Sequence, residues 1–468
     1  MRVAIFGVGK YYIKRRDEVS NLLAKDTIVA FFDNKFDNDT EVDGILAMNP
    51  ININLVKFDC IIIMSTYVGE IYCQLCKLGV DKDKIYTWKQ YRSKKTGGII
   101  EEYHTGKSCN GKRVLIVTQP IHYDGGSMAA VYSAMALRQR NYCVWIVAEL
   151  IEPELKERLL RDGISLAVCQ DIPYFGHSAK KWVCSFSVIL VNVFPNIHSA
   201  YELGKIKPLV WWLHESDVYG NIYQKVLATF PYYRDNLKID TVNVVAVSEN
   251  ARNNFKRYYP NIDAGIMAYG LPDEREKAVS NNKKMIFAII GYISLLKGQD
   301  ILIEAIKKMS EEERNKAEFW FIGSTESDFA QKILQEAKMI NSVVIKGVLN
   351  RLQMKKILSE VDVVVSASRE DSLPIVITEG MMNSKACIMS NVIGNVDYVT
   401  NFKDGIIFQS ESVDDLKDKI CWCLNHGNEV KNIGKEARKI YENEFTMQDF
   451  ADRLEREIKR AEDLFYGM

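Results

Sequence analysis

The fold of this chain is decided by one stretch, which reads Ser366-Ala367-Ser368-Arg369-Glu370-Asp371-Ser372-Leu373-Pro374-Ile375-Val376-Ile377-Thr378-Glu379-Gly380-Met381. The apolar residues 361–365 precede it and are typical of a buried parallel strand. Proline is favoured in the first turn of a helix, so the stretch predicts a strand, an acidic loop and a helix that begins near Pro374. Asp371 and Glu379 then lie at most about 12 Å apart, close enough to contact the sugar and the ribose of one nucleotide-sugar. The alternative is that Asp371 caps the helix and Glu379 is a surface charge.

Short apolar runs alternate with helical segments through most of the chain, which predicts the α/β class with parallel sheets wrapped by helices. A polar stretch at residues 93–111 and an interrupted segment at 271–284 suggest boundaries between units. We therefore expect a small N-terminal unit at 1–100 and two doubly wound units at 112–275 and 280–446. An amphipathic helix is predicted at 447–468, with Phe450, Leu454, Ile458 and Leu464 on one face.

Composition excludes several classes of protein. The 468 residues carry 61 Lys plus Arg and 61 Asp plus Glu, and this balance argues against a dedicated nucleic-acid binder. The N-terminal apolar run is too short for a signal peptide and no window is long enough for a spanning helix, so we expect a cytoplasmic protein with at most peripheral membrane contact. The ten cysteines lie mostly in apolar runs, so we expect them to be buried and reduced.

The acidic stretch resembles the E-x7-E motif of family 4 glycosyltransferases, which are retaining enzymes of the GT-B architecture. Asp371 stands at the first acidic position and Glu379 at the second. Residues 290–300 resemble the glycine and Lys-Gly element of that family, and residues 391–397 and 404–407 are similarly placed. Residues 211–215 and 245–249 resemble strand ends of its acceptor domain, so the resemblance covers the chain from about 112 to 465.

This resemblance implies a site in a cleft between two Rossmann-like domains. Lys297 is the expected cation for the diphosphate, Asp371 is expected to hold the sugar, and His214 is expected to hydrogen-bond a donor hydroxyl or the acceptor. Further donor-binding residues implied by the family are Gly125, Gly126, Gly291, Ser372, Leu373 and Glu379, the last for the ribose. For His214 and for the Gly125-Gly126 turn, a purely structural role is the alternative. The family's reaction is attack on the same face as the departing phosphate, which takes the acceptor proton.

Two departures from the family pattern stand out. Tyr292 occupies a position where the family usually has arginine, so one expected phosphate contact is missing. Ser372-Leu373-Pro374 replaces the usual Gly-Phe-Gly, which removes one backbone N–H donor.

Asp37-Asn38-Asp39 is the kind of acidic pair that chelates a divalent ion, but it lies in a polar run that is typical of a solvated turn. We expect neither a metal nor a cofactor beyond the donor itself.

The N-terminal unit has a separate signal. Gly7-x-Gly9 follows its first strand and Asp33 closes the second, as in nucleotide-binding Rossmann units. A tight strand-to-helix turn explains the same glycines without any ligand. The unit resembles the small Rossmann-like domains that precede some sugar-modifying transferases.

The sequence thus predicts a glycosyltransferase that moves a sugar from a nucleotide-sugar to a glycan or lipid-linked glycan, in surface polysaccharide biosynthesis. The alternatives are a nucleotide-sugar epimerase of the same architecture and a catalytically silent nucleotide-sugar-binding subunit, the latter suggested by Tyr292. The base, the sugar, the acceptor and the oligomeric state are not encoded by these motifs.

Overall fold

The computed structural model of the protein describes residues 1–98, 100–123, 125–172, 174, 177–216, 221–275, 284–324 and 327–467. Within these residues the strands form three sheets, each flanked by helices, so the predicted α/β class is confirmed. Part of the expected linker at 271–284, namely residues 276–283, lies outside the described residues.

The first sheet has the strand order β3-β4-β2-β1-β5-β6. Its strands are β1 (Arg2–Phe6), β2 (Thr27–Phe32), β3 (Thr40–Val42), β4 (Ile45–Met48), β5 (Cys60–Ile63) and β6 (Ile85–Thr87). Its helices are α1 (Lys10–Ile13), α2 (Arg16–Leu22), α3 (Val68–Lys77) and α4 (Trp88–Thr96). All strand pairs are parallel except β3 with β4, so the helices that follow β1, β5 and β6 begin at one edge of the sheet.

The second sheet has the order β14-β13-β12-β11-β8-β9-β10-β7. Its strands are β7 (Glu101–Tyr103), β8 (Arg113–Val117), β9 (Cys143–Ala148), β10 (Ser165–Val168), β11 (Val188–Asn192), β12 (Leu209–Leu213), β13 (Val242–Ala246) and β14 (Gly265–Ile266). Its helices are α5 (Gly125–Gln139), α6 (Pro153–Arg161), α7 (His177–Val183), α8 (Ile197–Leu203), α9 (Ile222–Thr229), α10 (Tyr233–Asn236) and α11 (Glu249–Tyr258). Because β7 pairs antiparallel with β10, this sheet begins before residue 112, where sequence reasoning starts the unit.

The third sheet is parallel throughout and has the order β17-β16-β15-β18-β19-β20. Its strands are β15 (Met285–Ile290), β16 (Ala317–Ile322), β17 (Val343–Gly347), β18 (Val363–Ser366), β19 (Ala386–Ser390) and β20 (Ile406–Phe408). The helices are α12 (Gln299–Lys308), α13 (Glu311–Asn315), α14 (Asp328–Lys338), α15 (Arg351–Glu360), α16 (Ile375–Met382), α17 (Val413–Asn425), α18 (Gly427–Glu444) and α19 (Met447–Tyr466). The buried β18 strand delivers the acidic stretch to the carboxyl edge, where ligands of such sheets bind.

Helix α19 leaves the third sheet and packs against α5, β12 and β13 of the second. Phe450, Leu454 and Ile458 are buried in that contact, as expected from their helical spacing. Leu464 is 41% exposed, so the expectation that it shares the buried face is wrong. Ion pairs of Lys112 with Glu462 and of Arg140 with Asp452 flank the apolar contact.

The cysteines correct another expectation. Cys109 and Cys143 form a disulfide, although both were expected to be reduced. Two of the free cysteines, Cys73 and Cys184, are exposed, whereas Cys60, Cys169, Cys387 and Cys423 are buried as predicted. In the described part of the chain, each helix is too short or too polar to cross a membrane.

Candidate active site

The second and third sheets meet at their carboxyl edges. A Cβ atom added to Gly125, the first residue of α5, would lie 4.0 Å from Cδ1 of Ile375, the first residue of α16. The N-termini of these two helices therefore face each other across the contact. Unpaired N–H groups and the positive end of the helix dipole favour an anion at each of them.

Helix α5 is held in this position by its own domain. The Asn192 side chain, at the end of β11, donates to the carbonyl of Gly126 at 3.0 Å and to the Thr118 hydroxyl at 3.1 Å. Gly125 and Gly126 are thus placed where a negatively charged group between the domains would meet them. Asp124, which precedes them, lies outside the described residues.

Lys297 and Asp371 are brought together at the end of the third sheet. Lys297 closes a short 3-10 turn, and its ammonium group forms an ion pair with the Asp371 carboxylate. Both side chains are largely shielded from solvent, with 32% and 16% exposed. Helix α16 has no side-chain cap, so Asp371 is not the capping residue that the alternative reading required.

Glycines shape the backbone on both sides of this pair. Gly298 has φ +69°, and a Cβ atom there would come within 1.9 Å of the Ala367 carbonyl oxygen. The Lys297 turn therefore packs directly on the chain that leads to Asp371. Gly291 follows β15 with φ +141°, and among the described residues no atom lies within 4 Å of where its Cβ would be. That open space lets a ligand approach the Gly291 backbone closely.

Glu379 is buried against an arginine that sequence reasoning did not identify. Its Oε1 lies 3.3 Å from Nη1 of Arg351, and only 12% of the Glu379 side chain is exposed. Arg351 also pairs with Glu274 at 2.7 Å. Burial raises the pKa of Glu379, while the Arg351 charge opposes that rise. Glu379 is therefore not a surface charge.

The signal for Arg351 is present in the sequence but indirect. Asn350 caps α15 and forms a capping box with Gln353, so that Arg351 is the first residue of the helix. No local pattern in the sequence brings Arg351 back to Glu379. That contact is tertiary, because β17 and β18 are separated by two other strands.

His214 lies just after β12 of the second sheet. Its ring packs 4.3 Å from the Trp212 ring, and within the described residues its buried Nε2 has no hydrogen-bond partner. Burial lowers the pKa of His214 to about 3, so the ring is neutral near pH 7. Its contact with Glu215 runs from its backbone N–H, at 3.0 Å, rather than from the ring.

Ser372 and Leu373 join the acidic loop to the domain of the second sheet. The Ser372 hydroxyl donates to the carbonyl oxygen of His214 and lies 3.1 Å from the Ser216 hydroxyl. The Leu373 carbonyl accepts a hydrogen bond from Tyr269 at 2.9 Å. These contacts connect the segment around Asp371 to the segment around His214, so the structure brings both halves of the predicted site together.

The departure at position 292 is visible in the structure. Tyr292 is 51% exposed. Arg369, within the acidic stretch, does not fill the gap because it pairs with Asp300 at 2.7 Å and Glu411 at 2.9 Å.

The glycine turn of the N-terminal unit is explained by packing. A Cβ atom on Gly7, which has φ +101°, would lie 2.8 Å from the Met64 carbonyl oxygen. The Asp33 carboxylate accepts hydrogen bonds from the backbone of Val8 at 3.0 Å and of Lys35 at 3.1 Å. Asp33 thus closes the turn, as the structural alternative requires.

Within the described residues no cluster of three or more His, Cys, Asp or Glu side chains is arranged to hold a metal, and residues 37–39 are exposed.

Comparison with protein families agrees with this geometry. Residues 272–440 match the model described as "Glycosyl transferases group 1". The chain therefore carries a group 1 glycosyltransferase domain. This group 1 domain contains Gly291, Lys297, the acidic loop and Glu379, whereas His214 and the Gly125 turn lie outside the match. Residues 1–86 match a second model, "C2185-like, N-terminal".

Known relatives are similar over different lengths. An uncharacterized glycosyltransferase of Methanocaldococcus jannaschii is 23% identical over 77% of this chain and 94% of its own length. The N,N'-diacetylbacillosaminyl-diphospho-undecaprenol alpha-1,3-N-acetylgalactosaminyltransferase of Campylobacter jejuni is 23% identical over 47% of this chain and 56% of its own.

Solved structures share the fold. Anabaena Alr3699/HepE in complex with UDP-glucose superposes with a TM-score of 0.63 at 15% identity, over 74% of this chain and 99% of that one. Sucrose-phosphate synthase of Thermosynechococcus elongatus gives 0.63 at 14% identity, over 76% of this chain and all of that one. The fold around the group 1 domain is thus GT-B, as predicted, with an additional N-terminal sheet domain.

Proposed function

We propose that the protein is a retaining, metal-independent glycosyltransferase of family 4, which transfers a sugar from a nucleotide-sugar to a glycan or lipid-linked glycan. One observation carries the proposal: the Lys297–Asp371 pair and Glu379 lie at the carboxyl edge of the group 1 domain, and the N-terminus of α5 faces that edge. This arrangement offers a separate contact for each part of a nucleotide-sugar.

Each part of the donor has a proposed partner. The Glu379 carboxylate accepts hydrogen bonds from the ribose hydroxyls, and the diphosphate lies between Lys297, the Gly291 backbone and the amides of Gly125 and Gly126. Asp371 accepts from a sugar hydroxyl, which it reaches once the diphosphate competes for Lys297. The neutral His214 ring completes the sugar contact through Nε2.

The reaction exchanges two bonds at the anomeric carbon. The acceptor oxygen bonds to that carbon on the face from which the phosphate oxygen departs, and the acceptor proton passes to the departing oxygen. Negative charge grows on the leaving diphosphate, so Lys297 and the helix N-terminus stabilise the transition state more than the ground state. In this scheme no protein nucleophile is required.

The relatives suggest the substrate class. HepE was crystallised with UDP-glucose, and the Campylobacter enzyme is named for a diphospho-undecaprenol acceptor. We extend these to a UDP-sugar donor and a lipid-linked or polymeric glycan in surface polysaccharide biosynthesis. Such an acceptor is reached by a cytoplasmic enzyme at the inner face of the membrane.

The test begins with thermal shifts of the full chain against UDP, GDP, ADP, dTDP and their sugars, because a bound ligand raises the melting temperature by mass action. The nucleotide-sugar that binds is then incubated with glycan acceptors in EDTA, and the anomeric configuration of the product is read by NMR. Retention in EDTA is expected. An inverted product, or activity abolished by EDTA and restored by a divalent ion, contradicts the proposal.

One observation favours a second candidate, a nucleotide-sugar-binding subunit without transfer activity. Tyr292 is half exposed where the family has arginine, so that part of the diphosphate contact is absent. This candidate predicts binding of the same nucleotide-sugar with neither transfer nor slow hydrolysis in any acceptor screen. Measurable hydrolysis of the bound donor rejects it.

A further inference from the structure

The N-terminal domain is fixed onto the acceptor-side domain by specific contacts. A Cβ atom on Gly69, near the start of α3, would lie 1.8 Å from the Ala228 carbonyl oxygen of α9, so the two helices touch through backbone. Lys89 pairs with Glu149 at 2.7 Å and Arg92 pairs with Asp171 at 2.6 Å across the same junction. A contact that excludes even a methyl group holds the two domains in one orientation.

A cavity of about 400 Å³ lies at this junction, within the size range of small-molecule sites. Six of its eight lining residues come from the N-terminal domain, four of them from α1 and α4, which begin at the carboxyl edge of the first sheet; Glu149 and Gln170 of the second domain close the cavity. Glu149 follows β9 and Gln170 follows β10, so the cavity lies at the carboxyl edge of both sheets.

The cavity is close to the proposed donor site. The segment between β8 and Gly125 runs beside the segment after β9, because the backbone N–H of Ile121 donates to the Leu150 carbonyl at 2.8 Å. Strands β8 and β9 are direct neighbours, and one strand spacing is about 5 Å. The cavity is therefore displaced by one or two strands from the Gly125 turn, along the edge that faces the donor.

The charges of the lining suit a neutral ligand. Three cations, Arg15, Lys89 and Arg92, lie in the wall, and they are balanced by Glu18, Glu149 and the Asp171 that pairs with Arg92. A diphosphate needs an excess of cations, and none remains once Asp171, which pairs with Arg92 from outside the lining, is counted. Sugar hydroxyls both donate and accept, so they match guanidinium, ammonium, amide and carboxylate groups set side by side.

One aromatic ring and one arginine complete the match. Tyr11 and Trp88 line the cavity, but Trp88 is only 1% exposed, so Tyr11 is the ring with surface left for a ligand. The Arg15 guanidinium stacks over the Tyr11 ring at 3.9 Å. Among the described residues Arg15 has no carboxylate within ion-pair distance; its Nη1 donates to the Tyr11 carbonyl at 3.4 Å, and its other N–H donors are available to a ligand.

We propose that this cavity is an acceptor subsite, which binds a neutral sugar unit of the acceptor glycan beyond the one that receives the transferred sugar. The inference rests on the proposed glycosyltransferase function and deepens it. The N-terminal domain then selects acceptors of more than one sugar unit. It does so by contributing one wall of a subsite whose other wall belongs to the acceptor-side domain.

The probe is an array of neutral and acidic oligosaccharides of two to six units, screened with the full chain in the presence of UDP. The test variant is Arg15→Ala combined with Gln170→Ala, one change from each domain. Lys14→Ala is the matched control, because Lys14 is an exposed cation next to Arg15 that does not line the cavity. We expect the double variant to bind the retained neutral glycan at least about tenfold more weakly, and the control to stay within about twofold.

The outcomes separate this inference from the proposed function. If the wild type binds a nucleotide-sugar but no neutral oligosaccharide, the subsite is rejected while the donor site stands. If it binds no nucleotide-sugar at all, the proposed function itself fails. Glycan binding that is equal in the double variant and the wild type overturns the subsite, as does loss of UDP binding in that variant, which would make the cavity a nucleotide site. Melting temperatures of all three proteins confirm that they are folded.

Discussion

Replacing Glu379 by glutamine tests the donor site where the structure is most informative. The substitution keeps the shape of the side chain and removes its charge. In the described structure the contact with Arg351 uses Oε1 of Glu379, which leaves Oε2 for the ribose. A hydrogen bond to a charged group contributes about 1.5–3 kcal/mol and a neutral one about 0.5–1.5 kcal/mol, so the loss is about 1–2 kcal/mol. We therefore expect the Kd of the nucleoside diphosphate to rise about 5- to 30-fold.

The control uses the other carboxylate on the same arginine. Glu274→Gln removes the partner that lies 2.7 Å from Arg351 and leaves Glu379 in place. Isothermal titration calorimetry of both variants with the nucleoside diphosphate compares the two acids directly. The ribose contact predicts weaker binding for Glu379→Gln and nearly unchanged binding for Glu274→Gln. Equal weakening in both variants, or weakening in Glu274→Gln alone, would show that Glu379 serves only to anchor Arg351 and would refute the reasoning.

The pKa of Glu379 adds a pH dependence to this prediction. Because burial raises that pKa, the carboxylate is protonated at a higher pH than an ordinary glutamate. Binding that needs the ionised form is complete above the raised pKa and is lost as the pH falls through it. The Kd of the wild type should therefore rise on acidification, and the Kd of Glu379→Gln should change less over the same range.

Three further predictions test the remaining parts. Lys297→Ala should lower kcat about 100-fold with a smaller change in KM, and Lys297→Arg should recover part of that loss in a steady-state transfer assay. Burial lowers the pKa of His214 to about 3 in the folded protein, whereas its pKa in the unfolded chain is about 6.5. The free energy of unfolding should therefore fall as the pH drops below 6.5. His214→Gln should remove about 2 kcal/mol of that loss between pH 6.5 and 5, which is measured as a smaller fall in Tm. Gly298→Ala should lower Tm strongly, because the added Cβ meets the Ala367 carbonyl. Gly79→Ala is the control: Gly79 has φ +84°, and among the described residues no atom lies within 4 Å of the added Cβ. Its Tm should fall only by the smaller cost of the left-handed backbone conformation.

Sequence reasoning was strongest where local chemistry and chain order coincide. The apolar run before the acidic stretch forms β18, and α16 begins at Ile375 directly after Pro374. A proline at a helix start and a run of valines in a strand are local preferences, so they can be read without knowing the neighbours. The parallel order of strands then brings Lys297 and Asp371 to one edge, since both follow strands that are adjacent in the sheet.

Contacts that depend on packing between distant segments were not predictable in the same way. Arg351 reaches Glu379 only because of how α15 and α16 lie on the sheet, and periodicity does not encode that. Cys109 lies just before β8, and Cys143 is the first residue of β9. Their pairing follows from the register of β8 and β9, which sets Arg113 opposite Cys143. Leu464 has the spacing of a buried residue but lies beyond Ala461, the last buried residue of α19, and is 41% exposed.

The departure at Tyr292 gives the donor site a particular balance of charge. Each acidic residue of the motif is held by a cation, Asp371 by Lys297 and Glu379 by Arg351. A diphosphate that enters must compete for Lys297, because Arg369 is already paired with Asp300 and Glu411. In the proposed mechanism, which lacks an arginine at position 292, the stabilisation of the leaving group depends on Lys297 and on the N-terminus of α5. The loss of Lys297 should therefore cost this protein more of its rate than it costs a relative that keeps both cations, and Tyr292→Arg combined with Lys297→Ala should recover part of that rate.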